Sequence, residues 1–165
     1  LSVSVIIPAL NEEQAVGYVV ERARQQGPAE VIVVDNGSSD GTAAAAQAAG
    51  ARVVSEPRRG YGAACLAGAR AATGEVLVFI DADGSFDAAE MPALVAPILD
   101  ERAELVLGTR VPSHEGQDAV LPHQRFGNWL AVRLLGLGFG LGVTDLGPFR
   151  AVRRDVLLRL GMSEM

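Results

Sequence analysis

Two aspartates one residue apart, Asp81 and Asp83, follow an apolar run in "VLVFIDADGS". In extended backbone, residues i and i+2 point to the same side, so both carboxylates are expected to face one site. Held that close they repel each other unless a cation joins them. A hard divalent ion such as Mg²⁺ or Mn²⁺ takes one or two protein carboxylates together with substrate phosphates. The alternative is that one Asp caps the turn "DGS" while the other is solvated. Asp35 closes a second apolar run, where a carboxylate can accept hydrogen bonds from a ribose or a base edge. It can equally form an Asx turn with Gly37, and the two roles are compatible. Asn11 and Glu12 divide between capping a helix and touching a ligand. Arg58 and Arg59 precede a glycine-rich turn that opens a helix, which suits a diphosphate; an exposed charged loop is the other reading of that pair.

The elements that must position these residues are written in the apolar pattern. "VSVII" (Val3 to Ile7), "VIVV" (Val31 to Val34), "RVV" (Arg52 to Val54), "VLVFI" (Val76 to Ile80) and "ELVLG" (Glu104 to Gly108) read as strands. Their continuous apolarity marks strands buried on both faces. Helix-like segments lie between them, so βαβ crossovers and a mainly parallel sheet are expected. Asn11 with Gln14, Asp87 with Glu90, and Ser39 or Asp40 before the alanine-rich stretch closed by Gly50 read as helix boundaries. A helix is expected over Phe126 to Leu135 and another from Arg153 to Leu160. Ligands of open parallel sheets bind outside the carboxyl ends of the strands. The polar segments "PALNEE", "DNGSSDGT", "EPRRGYGAA", "DADGS" and "GTR" all follow apolar runs, so five strand ends would share one edge.

Composition removes other classes. A chain of 165 residues suffices for one well-cored domain, expected over 1–165 and incomplete at the C-terminus, since "GMSEM" closes no element. An apolar share of 49% excludes disorder, and a net charge of -6 argues against a nucleic-acid partner. All 14 basic residues are arginine, which excludes P-loop and Schiff-base lysines. The single cysteine, Cys65, forms no internal disulfide and sits among small apolar residues as core filler, which fits a reducing, cytoplasmic compartment. His114 and His123 have no partner at metal spacing, and Trp129 reads as core.

Two other patterns need weighing. "GYGAAC" mimics a dinucleotide fingerprint but lacks the third glycine and follows the third strand instead of the first. "VFIDADGS" also resembles the nucleophile motif of haloacid-dehalogenase-type phosphatases, in which the first Asp attacks phosphorus. That family places the pair on an early strand and needs a later acidic pair. Here the late acids Asp118, Asp145 and Asp155 are scattered. This phosphatase reading, and a non-catalytic nucleotide-sugar-binding module, remain the alternatives.

Taken in order, "VSVIIPALNEE", "VIVVDNGSSDGT", "RRGYGAA", "VLVFIDADGS" and "LVLGTR" resemble the family 2 glycosyltransferases. With "TDLGPFRAVRRDVL", they look most like the polyprenyl-phosphate (dolichyl-phosphate mannose synthase-like) branch. The resemblance implies a GT-A fold, a Rossmann-like, mainly parallel sheet flanked by helices, and inverting transfer from a UDP- or GDP-sugar. It implies that Pro8, Asn11 and Glu12 border the nucleoside and that Asp35 contacts the base. Asp81 would lie near ribose and metal, Asp83 would be the chief metal ligand, and Arg110 and Arg125 would meet phosphates of donor or acceptor. A polyprenyl-phosphate acceptor, reached by peripheral contact at the inner membrane face, completes the expectation. A lipid phosphate is already anionic near neutral pH and needs no base, whereas a hydroxyl acceptor needs a carboxylate to take its proton. Asp145 is the visible candidate for that role, or it caps the turn "DLGP". Ser85 stands where many mannosyltransferases of the branch carry glutamine, so mannose is not implied.

Overall fold

The structure, a computed structural model, describes residues 1–108 and 148–159. Nearly all of these fall in one compact unit, residues 1–106 with the segment from Phe149 onward. Its elements run β1 (Val3–Ala9), α1 (Val16–Arg24), β2 (Glu30–Asp35), α2 (Thr42–Ala48), β3 (Arg52–Ser55), α3 (Tyr61–Ala71) and β4 (Val76–Phe79). A 3-10 turn (Ala88–Glu90), α4 (Met91–Leu99), β5 (Leu105–Leu107), β6 (Arg150–Arg153) and α5 (Arg154–Arg159) follow. The GT-A-like α/β architecture is as expected. β1 pairs in parallel with β2 and β4, β2 pairs in parallel with β3, and the sheet order is β3-β2-β1-β4-β6-β5.

Side-chain alternation along the strands divides the core into two layers. Val5 and Ile7 of β1, Val31 and Val33 of β2, and Val78 with Ile80 face α1 and α4, where Val16, Val20, Leu94 and Ile98 meet them. Ile6, Ile32, Val34, Leu77 and Phe79 face α3, against Ala64, Cys65 and Ala69. Both faces are covered, which is why the strands read as unbroken apolar runs. The helix α3 lies close to the sheet at Gly68, where an added methyl would collide with Ile6 Cγ2 and stand 3.0 Å from Val34 Cγ2. At the amino-terminal edge, the buried Ser4 hydroxyl donates to Glu30 Oε1 (2.7 Å) and accepts the Gly74 amide (2.9 Å).

Three local expectations need correction. β6 was not anticipated: "RAVR" has only two apolar residues between arginines, yet it pairs antiparallel with β4, Phe79 opposite Arg150 and Val76 opposite Arg153. The helix expected from Arg153 therefore begins one residue later. Asn11 does not cap α1, which starts at Val16 after Ala15 without a side-chain cap. Asn11 instead adopts a left-handed φ of 57° and turns its side chain to the next loop. Asp87 does cap its 3-10 turn, accepting the Ala89 amide (2.9 Å), and Gly50 closes α2 as read. The helix expected over Phe126 to Leu135 lies outside the described residues. Among the described residues no helix is long and apolar enough to cross a membrane.

Candidate functional site

The four parallel strands deliver their carboxyl ends to one edge, and the loops leaving them are laced together. Pro8 is buried within β1, opposite Val34 of β2. Beyond it, Asn11 donates its amide to Ser38 Oγ (3.0 Å), and its side-chain oxygen accepts the Ser39 amide (2.8 Å). The Glu12 amide donates to Thr42 Oγ1 (2.8 Å), and Glu13 Oε2 accepts the Gly41 amide (3.0 Å). The Glu12 carbonyl takes the amides of Ala15 and Val16, so main chain does what a capping side chain was expected to do. These bonds fix the β1–α1 loop against the β2–α2 loop.

Asp35, at the last position of β2, accepts the Ser38 amide on Oδ1 (3.1 Å), a turn made one residue beyond the Gly37 expected of it. The next residue, Asn36, is 5% exposed and reaches across to the loop after β3. In that loop Arg58 folds back on Glu56, Nε to Oε1 and Nη2 to Oε2, both 3.0 Å. The guanidinium holds the Glu56 carboxyl down at about 2. Arg58 is thus engaged inside its own loop, which leaves Arg59, exposed, as the arginine of the pair that can meet a diphosphate.

β4 ends at Phe79, so no continuous pleat carries both aspartates, as had been expected. Asp81 stands two residues past the strand end, whereas Asp83 lies in the turn and accepts the Ser85 amide (2.8 Å) on Oδ1. Both still act on Glu12. Burial, and then the charges of Asp83, Asp40 and Asp81, push its carboxyl up from the ordinary value. The negative charge gathered at this edge thus adds to the cost of ionising Glu12, a cost that a cation would relieve. Among the described residues no group of three or more His, Cys, Asp or Glu is arranged to enclose a metal. This donor set suits an ion completed by substrate phosphates, not a closed protein cage.

Two further residues of this edge went unnoticed in the sequence. Tyr61, the first residue of α3, donates its hydroxyl to Asp81 Oδ1 (3.1 Å), and burial pushes the phenol up so that it stays a donor. Arg150 arrives because β6 runs antiparallel, which puts its first residue beside the end of β4. Its guanidinium lies 5.2 Å from the centre of the Phe79 ring and its Nη2 3.9 Å from Cys65 Sγ. Tyr61 sits in a quoted motif as a single aromatic with no pattern of its own, and Arg150 could be found only with the strand direction. Cys65 is buried with its thiol pushed up by that burial, which agrees with its reading as core filler. Arg110, Arg125 and Asp145 lie outside the described residues, as do His114, His123 and Trp129.

Known proteins fit this edge. An uncharacterized glycosyltransferase of Mycobacterium tuberculosis is 43% identical over 99% of this chain and 72% of its own length. The glucosyl-3-phosphoglycerate synthase of Mycolicibacterium smegmatis is 40% identical over 59% of this chain and 36% of its own. The crystal structure of the M. tuberculosis glucosyl-3-phosphoglycerate synthase, in complex with Mn²⁺, UDP-glucose and phosphoglyceric acid, is 31% identical with a TM-score of 0.77. It aligns with 94% of this chain, which spans little more than half, 57%, of that one. These likenesses correct the expected branch: the kinship is with glucosyl-3-phosphoglycerate synthase and not with the dolichyl-phosphate mannose synthase-like branch, and they lend the expected lipid acceptor no support. The motif that singled out the branch, "TDLGPFRAVRRDVL", lies partly outside the described residues and otherwise forms β6 and the start of α5. The phosphatase alternative is set aside by the same relatives. The sequence model of glycosyl transferase family 2 matches residues 4–161, nearly the whole described edge included, and the chain belongs to that family.

Proposed function

We propose that this chain carries the donor-binding part of an enzyme that moves glucose from UDP-glucose to a small anionic acceptor of the phosphoglycerate type. The observation that carries the reading is the convergence of Glu12, Asp81 and Asp83 on the carboxyl edge of the sheet, where burial and then the charges of Asp83, Asp40 and Asp81 raise the Glu12 carboxyl. Asp83, with Asp81, would hold a divalent cation, Mn²⁺ or Mg²⁺, which would supply positive charge against the leaving diphosphate. Asp35 receives the base, with Pro8, Asn11 and Glu12 bordering the nucleoside. Arg59 supplies fixed positive charge where negative charge develops as the bond from the sugar C1 to the diphosphate oxygen breaks. The acceptor oxygen forms the new bond to C1. A hydroxyl acceptor must give up its proton, and Asp145 is the carboxylate assigned to take it. Arg110 and Arg125 are assigned to the anionic groups of the acceptor. The likeness to structures holding UDP-glucose and phosphoglyceric acid supports this choice of donor and acceptor.

Thermal unfolding with UDP-glucose and Mn²⁺ tests the donor half. Ligand at 100 times its Kd adds about 2.7 kcal/mol, and a chain of this size then gains roughly 5–10 °C in Tm. Chelation of the metal should remove most of that gain, and Asp83→Ala should lower glucosyl transfer by about 100-fold or more. A chain stabilised by no uridine nucleotide, or an Asp83→Ala variant that turns over like the wild type, would refute the donor site. Transfer to a different acceptor but none to phosphoglyceric acid would refute the acceptor alone.

A further inference from the structure

The side chain of Asn36 spends both of its N–H donors and a lone pair of its carbonyl oxygen on one loop. Its Nδ2 donates to the carbonyls of Glu56 (2.9 Å) and Arg58 (2.7 Å), and its Oδ1 accepts the Gly60 amide (2.8 Å). Only one orientation of the amide satisfies two carbonyls and one N–H, so its assignment is fixed by its neighbours. The Asn36 amide in turn donates to the Ala9 carbonyl of β1 (3.0 Å), which anchors the clamp in the centre of the sheet. Within the loop, Glu56 is 6% exposed and binds both the side chain and the amide of Arg58. Gly60, with φ 138° and ψ 137°, turns the chain into α3 through a conformation that L side chains rarely adopt. Each of these constraints fixes backbone or Arg58; among the described residues, Arg59 alone of the two arginines is left exposed without a hydrogen-bond partner.

We infer that Asn36 is a positioning residue for donor binding: it sets the shape of the Glu56–Gly60 loop so that Arg59 meets the diphosphate of the donor. The inference rests on the donor reading above. It adds that phosphate recognition at one strand end is controlled by a buried amide at the next. An aspartate at position 36 would turn both donors into acceptors facing carbonyls, so the arrangement is specific to the amide.

The test separates phosphate recognition from general damage to the fold. Binding of uridine and of UDP to the full chain is measured by calorimetry with Mn²⁺ present, for the wild type, Asn36→Ala, Asn36→Asp, Arg59→Ala and Asn36→Ala/Arg59→Ala. Arg59→Ala and Asn36→Ala should each weaken UDP about tenfold and leave uridine within about twofold. Asn36→Asp should lose at least as much, and the double variant no more than either single change, because both remove one interaction. Gly60→Ala disturbs the same loop without touching the core, since nothing lies within 4 Å of the added methyl, and should reproduce the phosphate-specific loss. If Asn36→Ala fails to fold, Gly60→Ala decides the matter. Equal losses of uridine and UDP, additive losses in the double variant, or wild-type UDP affinity in Gly60→Ala would each overturn the inference. A wild-type chain that binds neither ligand overturns the donor reading itself, a result distinguishable from all three.

Discussion

One carboxylate decides how the two neighbouring arginines are used. Glu56 stays ionised in the folded chain down to about pH 2, because Arg58 binds both its oxygens, whereas unfolded it takes a proton near its ordinary 4.5. A depressed carboxylate of this kind contributes stability that is complete above the unfolded value and is lost as pH falls through the folded one. Glu56→Gln should therefore have a lower Tm than the wild type at pH 7. The gap should narrow between pH 4.5 and about 2 and close below that. A gap that persists unchanged at pH 2 would show that packing, not charge, holds the pair. At this scale the sequence was informative where a residue acts on what lies next to it. Asp35, Asp81 and Asp83 stand at strand ends whose apolar runs announce them, and the bond of Asp35 to the Ser38 amide is local. Asn36 left no such signal: its partners are main-chain groups of residues 56, 58 and 60, and nothing in its neighbours names them. The Asn11 pattern was a local signal that misled, because asparagine tolerates the left-handed backbone it adopts here as well as it caps helices.

Among the elements, α3 links the carboxyl edge of the sheet to the core. Its first residue holds Asp81, and seven residues on, Gly68 lets it settle against β1 and β2. Gly68→Ala would force a methyl onto Ile6 and Val34, and overpacking of this kind costs about 1–3 kcal/mol. The gain in helix propensity, about 1 kcal/mol, offsets only part of it. The expected outcome is a lower midpoint of urea unfolding, with a loss in UDP affinity that exceeds any loss in stability-corrected binding of uridine. A variant as stable as the wild type would show that α3 can lift away freely. β1, β2 and β4 were legible because burial on both faces demands unbroken β-branched and apolar residues, whereas β3, half-buried at the sheet edge, shows only the pair Val53 and Val54. β6 was not, because a strand that is short, antiparallel and bounded by arginines presents neither an apolar run nor a clean alternation.

Across the whole molecule the sheet is not laid down in chain order. β4 finds its outer neighbour only when residues 150–153 return to it, after the chain has passed through β5 and residues 109–147. A shortened chain ending at Gly108 keeps β1–β5 but leaves one side of β4 without its hydrogen-bonding partner. An unpaired apolar strand is a template for pairing with other molecules, so this fragment should elute as aggregate where the longer chain does not. A monodisperse, cooperatively unfolding fragment would contradict this. On a ribosome, the same arrangement means that β1 to β4 are synthesised well before the strand that seals them. For the time it takes to translate the intervening residues, β4 is exposed beside an already assembled β1–β2–β3 sheet. Slow translation between β5 and β6 therefore lengthens the period in which this chain is most prone to associate with its own copies, and prompt synthesis or chaperone cover of β4 becomes a requirement of the topology.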